Sequence, residues 1–381
     1  MSIPIGNPRF PAAARCHKLM SSMPNPDVLI PAADLTAFAT SLLDAVGVSH
    51  TKSKLVAESL VAANLRGVDS HGVQLLPYYI EQLEWGDMDI HADGSVISEN
   101  GACLLYDGQN GIGQPIAETC CAHAVRIARA SGVAMVVARE SNHFGAAAFW
   151  AQKISAADQI GIVMCNASAL VPPWQGKHPR LGTNPICVSV PGGEEKPWLL
   201  DMATTTVAAG KIFKAMINGQ PEIPAGWAMD AEGAPTTSTD TALKGLLMPL
   251  GGYKGSGLAM MAEILCAVLG GGAISNEVGG IRIRGSQVRV SQMFLAVDIA
   301  RFIPLDQFRA RMDRLIRTMK STPPAKGFSE VLVAGEPELR TEQERARTGI
   351  PVGHGTWHAL CQAADRLGVA APPGVETPHS S

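Results

Sequence analysis

The sequence predicts an α/β protein in which a sheet domain is accompanied by a helical domain that is discontinuous along the chain. Between Ser95 and Val190, apolar strand patterns alternate with helical patterns, as they do in proteins built around a sheet. Three helical patterns precede this region, between Ala32 and Gly86, and two more interrupt the sheet pattern after it. The helical domain is therefore predicted to come from two separate parts of the chain.

Hydrophobic periodicity places the individual elements. Early helices are predicted around Leu35–Val46, Leu55–Leu65 and Val73–Leu83, and Asp69 to Gly72 is predicted to open the third of them. The predicted strands are Ala102–Asp107, Val133–Ala138, Ile160–Cys165, Ile186–Val190, Trp198–Asp201, Met293–Asp298 and Val331–Ala334. The later predicted helices are Gln114–Ala130, Phe144–Ala157, Val207–Ile217, Gly255–Leu269, Pro304–Lys320 and a charged helix near Glu338–Arg347.

Composition excludes several classes of function. A chain of 381 residues with 46% hydrophobic residues can bury a large core, and its length predicts two or three domains. The net charge of -3 provides no basic field, so nucleic acid is not an expected partner. The longest apolar region, Leu258–Leu269, contains Glu263 and falls short of the roughly 20 residues that cross a membrane. Eight cysteines without a Cys-x-x-Cys pair predict reduced thiols and a cytoplasmic protein.

The glycine fingerprint of common dinucleotide-binding folds is absent from the sequence. A Gly-x-Gly-x-x-Gly string lets the backbone approach a pyrophosphate at a helix N-terminus, but no such string occurs here. The glycine-rich strings Gly108–Gly113 and Gly251–Gly257 have other spacings, and the second lacks the Gly-Lys-Ser/Thr ending of a phosphate-binding loop. The residues alone therefore favour neither a Rossmann fold nor a P-loop protein.

Polar residues are instead concentrated where predicted elements end, which is where ligand sites usually form. These strings are Ser70-His71-Gly72, Ser141-Asn142-His143-Phe144-Gly145, Gly182-Thr183-Asn184-Pro185 and Asp201-Met202-Ala203-Thr204, together with Lys211. A single histidine of this kind is more often a helix cap or a satisfied core residue than a catalytic one. No single string decides the function.

Five strings, in order, resemble the motifs of the malate/L-lactate dehydrogenase family of the second type. They are Arg66–Gly72, Ser141–Ala147, Leu181–Pro185, Asp201–Thr204 and Gly251–Gly255, and the resemblance covers roughly Leu35 to Val352. Relatives in this family act on ureidoglycolate, L-sulfolactate, 2,3-diketogulonate or cyclic ketimines. The resemblance implies a distinct, non-Rossmann NAD(P)-binding fold, with a mixed sheet flanked by helices, and a homodimer in which the partner helps to close the active site.

The resemblance also implies a domain plan and a set of cofactor contacts. The plan is an N-terminal extension without predicted order (1–30), a first helical part (31–92), an NAD(P)-binding α/β domain (93–205), a second helical part (206–285), completion of the α/β domain (286–336), and C-terminal helices and tail (337–381). The implied contacts with NAD or NADP are His143, Phe144, Gly145, Ala146, Ala147, Asp201, Met202, Ala203, Tyr253, Lys254, Gly335, Glu336, Pro337 and Glu338. The sequence leaves NAD and NADP as alternatives.

Reduction of a 2-oxo acid needs a hydride on carbon and a proton on the developing alkoxide, so an acid with a pKa near neutrality must reach that oxygen. Histidine suits this task. In related enzymes the proton carrier is assigned to the histidine of the Ser-His-Gly string or to that of the Ser-Asn-His string, here His71 or His143. We favour His71, oriented by Ser70. Lys211 is predicted to stabilise the alkoxide. The predicted substrate contacts are Tyr79, Thr183, Asn184 and Gly210.

One position departs from the family pattern. Relatives usually carry an arginine three residues after the glycine of Ser-His-Gly, where its guanidinium can hold a substrate carboxylate by two hydrogen bonds, but this chain has Leu75. The departure places lactate-like and malate-like substrates in doubt and favours a bulkier or less acidic one.

Two alternatives to a 2-hydroxy acid dehydrogenase stay open at this point. One is an NADPH-dependent cyclic ketimine reductase of the same family, which Lys211 disfavours because ketimine-reducing relatives tend to carry aspartate there. The other is a non-catalytic homologue that binds nucleotide, for which Leu75 is the only motivation. No metal is predicted, because His354 and His358 have no third ligand at a recognisable spacing.

Overall fold

The computed structural model describes residues 27–217 and 219–375. Its centre is a seven-stranded sheet in the order β2-β3-β4-β11-β5-β6-β7, in which only β3 and β4 are parallel. The strands are β2 Ser95–Asn100, β3 Cys103–Asp107, β4 Val133–Ser141, β5 Gln159–Cys165, β6 Ile186–Val190, β7 Trp198–Met202 and β11 Val290–Asp298. The predicted mixed sheet is confirmed.

Two helices cover one face of this sheet. They are α4 (Gly113–Ser131), which supplies the crossover between the parallel strands, and α5 (Ala147–Ser155). The shared core includes Phe144, Trp150 and Phe294, whose side chains are at most 2% exposed. Burial of an apolar side chain of this size contributes about 1.5 to 3 kcal/mol relative to leaving it in water. This packing fixes the segment between β4 and α5, which contains His143.

A helical layer with its own core lies beside the sheet and combines both ends of the described chain. Its helices are α1 (Ala32–Ala45), α2 (His50–Leu65), α3 (Leu76–Trp85) and α11 (His354–Leu367). A two-stranded ribbon joins β1 (Val28–Ile30) to β12 (Ile350–Val352). Residues 28–30 are thus ordered, although they fall in the predicted extension, because Ile30 is buried against this core. Residues 1–26 and 376–381, the rest of the predicted extension and tail, lie outside the described residues.

A third group of elements follows β7. It comprises α6 (Ala209–Ile217), the short strands β8 (Ala228–Met229), β9 (Pro235–Thr236) and β10 (Leu246–Leu247), α7 (Thr239–Ala242) and α8 (Tyr253–Ala262). The predicted helix Gly255–Leu269 changes at Glu263 into a π-helical turn, Glu263–Val268. The buried Glu263 carboxylate accepts hydrogen bonds from the amides of Asn166 and Asn184. The chain then returns through β11 to α9 (Leu305–Lys320) and α10 (Glu336–Thr348).

Three predictions about elements are wrong, each for a local reason. Val331–Ala334 is not a strand, because the Val333 N–H bonds to the Glu336 carboxylate rather than to a neighbouring strand. Ser95–Asn100 is a strand that the apolar pattern missed, since it is an exposed edge strand whose apolar residues, Val96 and Ile97, do not alternate with polar ones. Asp69–His71 is a separate 3-10 turn, and α3 begins only at Leu76, with Pro77 in its first turn, where proline is tolerated. Within the described residues, no helix is long and apolar enough to cross a bilayer.

Candidate active site

A cavity of about 630 Å³ lies where the sheet domain and the helical layer meet. Its wall is formed by residues from the Asp69–His71 turn, the segment from His143 to Ala148, the ends of β5 and β7, the segment from Gly279 to Val290, and the segment that leads into α10. Polar side chains from the predicted strings face a mostly apolar wall. Concave sites with these properties are typical of small-molecule and cofactor binding.

The turn that carries His71 is anchored from outside the cavity. Arg345 of α10 binds the Asp69 carboxylate at 2.7 and 3.1 Å, and Asn64 of α2 donates to it at 2.6 Å. Asn64 also accepts a hydrogen bond from the Val73 N–H at 2.8 Å. Gly72 packs directly on this amide, since an added Cβ would lie 2.1 Å from Asn64 Oδ1. The glycine of the Ser-His-Gly string is therefore required by close packing.

Among the described residues, the His71 ring has one hydrogen-bond partner, the Ser70 hydroxyl, at 2.9 Å from its Nδ1. A hydroxyl can donate or accept, so it suits either protonation state of the ring. Burial lowers the pKa of His71 below its ordinary value, which leaves the ring neutral at pH 7. A neutral imidazole in a cavity wall, with a flexible partner on one nitrogen, can take up and release a proton on the other.

His143 lies 5.7 Å from His71, ring centroid to ring centroid, in a stacked arrangement. Its Nδ1 accepts a hydrogen bond from the Gly145 N–H at 3.2 Å and lies 2.6 Å from the Tyr79 hydroxyl. Tyr79 accepts from Gln114 at 3.3 Å and can therefore donate its own proton to His143. Since Nδ1 is an acceptor, the proton of the neutral ring is on Nε2.

Electrostatics keep His143 neutral. Burial, the neighbouring His71 and the charge of Arg282 together lower its pKa to about 3. Burial also raises the pKa of the Tyr79 hydroxyl above its ordinary value, so Tyr79 keeps its proton and remains a donor. Of the two histidines, His71 can exchange a proton, whereas His143 presents a fixed N–H.

The opposite part of the cavity is acidic. The Asp201 carboxylate accepts a hydrogen bond from the Ala148 N–H at 3.0 Å, at the N-terminus of α5. Asp201 is open to the cavity, but the surrounding protein shields it from bulk water and raises its pKa to about 6. Glu338 raises this pKa further and Arg66 lowers it. Arg66 lines the cavity but is paired with Glu342 at 3.0 Å.

These features fit a nicotinamide dinucleotide. The volume is within the range of cofactor sites, and the wall from Gly145 to Ala148 has only small residues at the N-terminus of α5, where a pyrophosphate is favoured. Gly335 also lines the cavity. Its φ is 91°, and it packs against β7, since an added Cβ would lie 3.0 Å from the Leu199 carbonyl oxygen.

Most of the predicted site residues are brought together in the cavity wall. These are Ser70, His71, His143, Phe144, Gly145, Ala146, Ala147, Thr183, Asp201, Ala203, Gly335, Pro337 and Glu338. Gly210 lies beside them, since an added Cβ would be 3.6 Å from Ser70 Cβ.

Other predicted residues do not line the cavity. Tyr79 lies behind His143, and Asn184 is fully buried, where it binds the Ala167 N–H and the Ala259 carbonyl. Glu336 is paired with Lys320. Lys211, Tyr253 and Lys254 are exposed, and Met202 is half-buried beside the wall.

Sequence reasoning missed several residues that shape the site. Asn64 and Arg345 hold the His71 turn, Gln114 orients Tyr79, and Arg66 and Arg282 add charge. Of these residues, only Arg66 belongs to one of the five strings identified from the sequence, Arg66–Gly72. The others lie outside the strings and reach the site through tertiary packing. Among the described residues, no group of three or more histidine, cysteine or acidic side chains could hold a metal ion.

Comparison with known proteins decides the family. The family model described as malate/L-lactate dehydrogenase matches residues 30–361. The chain belongs to the malate/L-lactate dehydrogenase family. A malate dehydrogenase of Pyrococcus horikoshii is 37% identical over 90% of this chain and 96% of its own length, and an L-sulfolactate dehydrogenase of Methanocaldococcus jannaschii is 34% identical over 86% and 94%.

Solved structures of malate/L-lactate dehydrogenase family members share the fold. The Pyrococcus horikoshii enzyme superposes with a TM-score of 0.84 at 34% identity, covering 92% of this chain and 99% of that one. A delta1-piperideine-2-carboxylate reductase of Pseudomonas syringae superposes with a TM-score of 0.78 at 27% identity, covering 88% and 99%. As a member of this family, the protein is an oxidoreductase that uses a nicotinamide cofactor.

Proposed function

We propose that this protein interconverts a 2-hydroxy acid and a 2-oxo acid, using NAD or NADP. The observation that carries the proposal is the histidine pair in the cavity wall, of which one ring can exchange a proton and the other presents a fixed N–H. An alcohol and a ketone interconvert by exactly two transfers, a hydride and a proton. The cofactor exchanges the hydride with the substrate carbon when it is bound.

His71 moves the proton. In the oxidation direction its neutral ring accepts the substrate hydroxyl proton on Nε2, while its Nδ1–H donates to Ser70 Oγ. In the reduction direction the protonated ring returns this proton to the developing alkoxide. The lowered pKa of His71 favours the base role at neutral pH. A general acid or base of this kind contributes about 10²- to 10⁴-fold in rate.

His143 donates a hydrogen bond from Nε2, either to the substrate oxygen, which it stabilises, or to the nicotinamide, which it positions. The hydrogen bonds of Tyr79 and Gly145 to its Nδ1 prevent the ring from turning over. Thr183 in the same wall supplies a hydroxyl for the substrate. Lys211 lies in the first turn of α6, which begins beside Ser70. Its side chain is exposed in this structure, and we propose that its ammonium turns toward the substrate oxygen when substrate binds.

We further propose a preference for NAD over NADP. A carboxylate that accepts a hydrogen bond from the 2′-hydroxyl of the adenosine ribose selects NAD, whereas a 2′-phosphate needs a free cation. Asp201 and Glu338 supply carboxylates, and Arg66, whose charge acts on Asp201, is already paired with Glu342. The expected result is a higher kcat/KM for NADH than for NADPH, and Glu338→Gln should narrow the difference. An unchanged ratio in the variant would remove Glu338 from this role.

We also propose a homodimer formed through α8 and the π-helical turn. Met260, Ile264 and Val268 are spaced four residues apart and are 50 to 58% exposed, so they form an apolar stripe on one helix face. Tyr253 and Lys254, which are exposed and do not line this chain's cavity, lie at the start of the same helix, and we propose that in the dimer they contribute to the site of the partner. Analytical ultracentrifugation should find a dimer, and Ile264→Glu should shift it toward monomer. A monomeric wild-type protein would contradict this.

The experiment that tests the proposed reaction is oxidation of NADH and NADPH, followed by absorbance, against a panel of 2-oxo acids and cyclic imines. We expect turnover with 2-oxo acids. The reductase among the structural neighbours makes a cyclic ketimine the competing substrate class, and turnover restricted to cyclic imines would replace our proposal with that activity. Absence of both turnover and cofactor binding would contradict the enzyme assignment.

A further inference from the structure

A substrate carboxylate needs a basic residue to bind it, and Leu75 stands where related proteins usually carry that arginine. Leu75 is 4% exposed and packs in the core of the helical layer, so it takes no part in the cavity. Apart from the two histidines, Arg66 is the one basic residue among the described residues of the cavity wall, and it is paired with Glu342. If the substrate is a carboxylic acid, its anchor must come from another part of the chain.

The segment from Gly279 to Val290 provides the nearest candidate. Gly279, Ile281 and Val288 line the cavity. The segment is held at several points: the Gly279 N–H bonds to the Val288 carbonyl at 2.9 Å, and the Gly285 N–H bonds to Asp87 at 2.7 Å. Arg289 binds Glu140 through two hydrogen bonds of 2.8 and 2.9 Å. The segment is therefore a fixed part of the site.

Arg282 follows the cavity residue Ile281 directly. Its guanidinium lies 4.5 Å from the centre of the Tyr78 ring, a distance at which the cation and the ring attract each other. Tyr78 precedes Tyr79, whose hydroxyl contacts His143. Arg282 is also close enough to His143 for its charge to lower the pKa of that histidine.

The guanidinium of Arg282 is available to a ligand. It makes no ion pair or hydrogen bond with any residue in the described ranges 27–217 and 219–375, whereas other arginines near the cavity, Arg66 and Arg289, are paired with glutamates. Stacking on an aromatic ring restricts an arginine side chain but leaves its N–H groups free for a carboxylate. The ring of Tyr78 thus restricts the guanidinium of Arg282 and leaves its N–H groups available.

We propose that Arg282, held against the ring of Tyr78, binds the substrate carboxylate and takes the place of the arginine that Leu75 replaces. This inference rests on the proposed 2-hydroxy acid activity. Arg282 would hold the carboxylate from the Gly279–Val290 segment rather than from the 3-10 turn Val73–Leu75 that precedes α3.

The test compares Arg282→Met with Arg284→Met, a matched control from the same segment whose guanidinium lies 5.8 Å from the Trp85 ring. Hydrogen bonds to a charged group are worth enough that Arg282→Met should raise the KM for the best 2-oxo acid by roughly 10- to 100-fold. The KM for the nicotinamide cofactor should not change, and Arg284→Met should behave as wild type. Arg282→Lys should reverse only part of the increase in KM, because an ammonium cannot donate two parallel hydrogen bonds to a carboxylate.

A binding measurement separates failure of this inference from failure of the proposed function. Isothermal titration of oxamate, an unreactive 2-oxo acid analogue, into the protein with reduced cofactor should give a Kd that Arg282→Met raises by a similar factor. If wild type is active and Arg282→Met keeps both its KM and its oxamate Kd, Arg282 is not the anchor. The same conclusion follows if Arg284→Met raises both as much. If wild type neither reduces a 2-oxo acid nor binds oxamate, the proposed function fails and the inference falls with it.

Discussion

The turn that contains His71 and the segment that begins at His143 place two stacked imidazoles in the same cavity but surround them differently. Within residues 27–217 and 219–375, the Nδ1 of His71 has a single partner, a serine hydroxyl that can either donate or accept. The Nδ1 of His143 faces two donors, the Tyr79 hydroxyl and the Gly145 N–H. In our proposal, hydrogen-bond partners, rather than residue type or position in the wall, distinguish the proton carrier from the fixed donor.

The two regions are also supported differently. The His71 turn is held by long polar side chains from α2 and α10, Asn64 and Arg345. The His143 segment is held by its immediate neighbours: Asn142 donates hydrogen bonds of 2.9 Å to the carbonyls of Asn110 and Gly111, and Asn142 and Phe144 are at most 2% exposed.

Substitution of the histidines should give the largest difference between these regions. His71→Ala should lower kcat by about 10²- to 10⁴-fold at saturating cofactor, because the proton loses its carrier. Its KM for the cofactor should stay near the wild-type value. His143→Ala should have a smaller effect on kcat and should weaken cofactor or substrate binding. Near-normal turnover of His71→Ala, measured under the same conditions, would contradict the assignment.

Gly72→Ala tests the support of the His71 turn. The added Cβ would overlap the Asn64 amide, which must then release Val73 or Asp69. We expect a loss of about 1 to 3 kcal/mol in the free energy of unfolding and a lower kcat. Gly355→Ala is the matched control, since its Cβ would meet nothing within 4 Å in α11, and it should be neutral or slightly stabilising. Equal behaviour of the two variants in denaturant unfolding would argue against this packing.

Tyr79→Phe tests the fixed orientation of His143, with a smaller expected effect. The variant removes the hydroxyl donor and leaves the Gln114 amide without this acceptor, which should cost about 1 to 3 kcal/mol of stability. The pKa of His143 should rise, because a bond that favours its neutral form is lost. Proton NMR of the ring can follow this titration. Tyr78→Phe keeps the aromatic ring and is the control; a Tyr79→Phe variant with an unchanged His143 pKa would oppose our interpretation.

Much of the site could be predicted because its residues stand at the ends of strongly patterned elements. The strings that contain His71, His143, Thr183 and Asp201 do meet in one cavity. The mixed sheet was likewise predicted from alternating patterns and the family resemblance, and it is confirmed. The exposed strand Ser95–Asn100 was missed because its two apolar residues, Val96 and Ile97, are adjacent and do not alternate with polar ones.

The remaining features depend on contacts between distant parts of the chain. Tyr79 was predicted to touch substrate, but its hydroxyl lies against His143, a residue 64 positions later. Asn184 was predicted to bind substrate, but its amide supports the backbone near Ala167. Arg282 is more than 200 positions from Leu75 and shares no motif with it, so only the folded chain relates the two. Hydrophobic patterns carry no information about such pairings.

The most direct test of the proton-carrier assignment is the pH dependence of kcat/KM for oxidation of the 2-hydroxy acid. The titratable and charged groups around His71 are the neutral His143 ring stacked on it, Arg282 near that ring, Asp69 with its partner Arg345, and Lys211 at the start of α6. Because burial lowers the pKa of His71 below 6.5, oxidation should rise with pH through a value under 6.5 and then level off, while reduction should fall over the same range. In His71→Gln this inflection should disappear, and in His143→Gln it should remain. An inflection that persists in His71→Gln and disappears in His143→Gln would reverse the two roles.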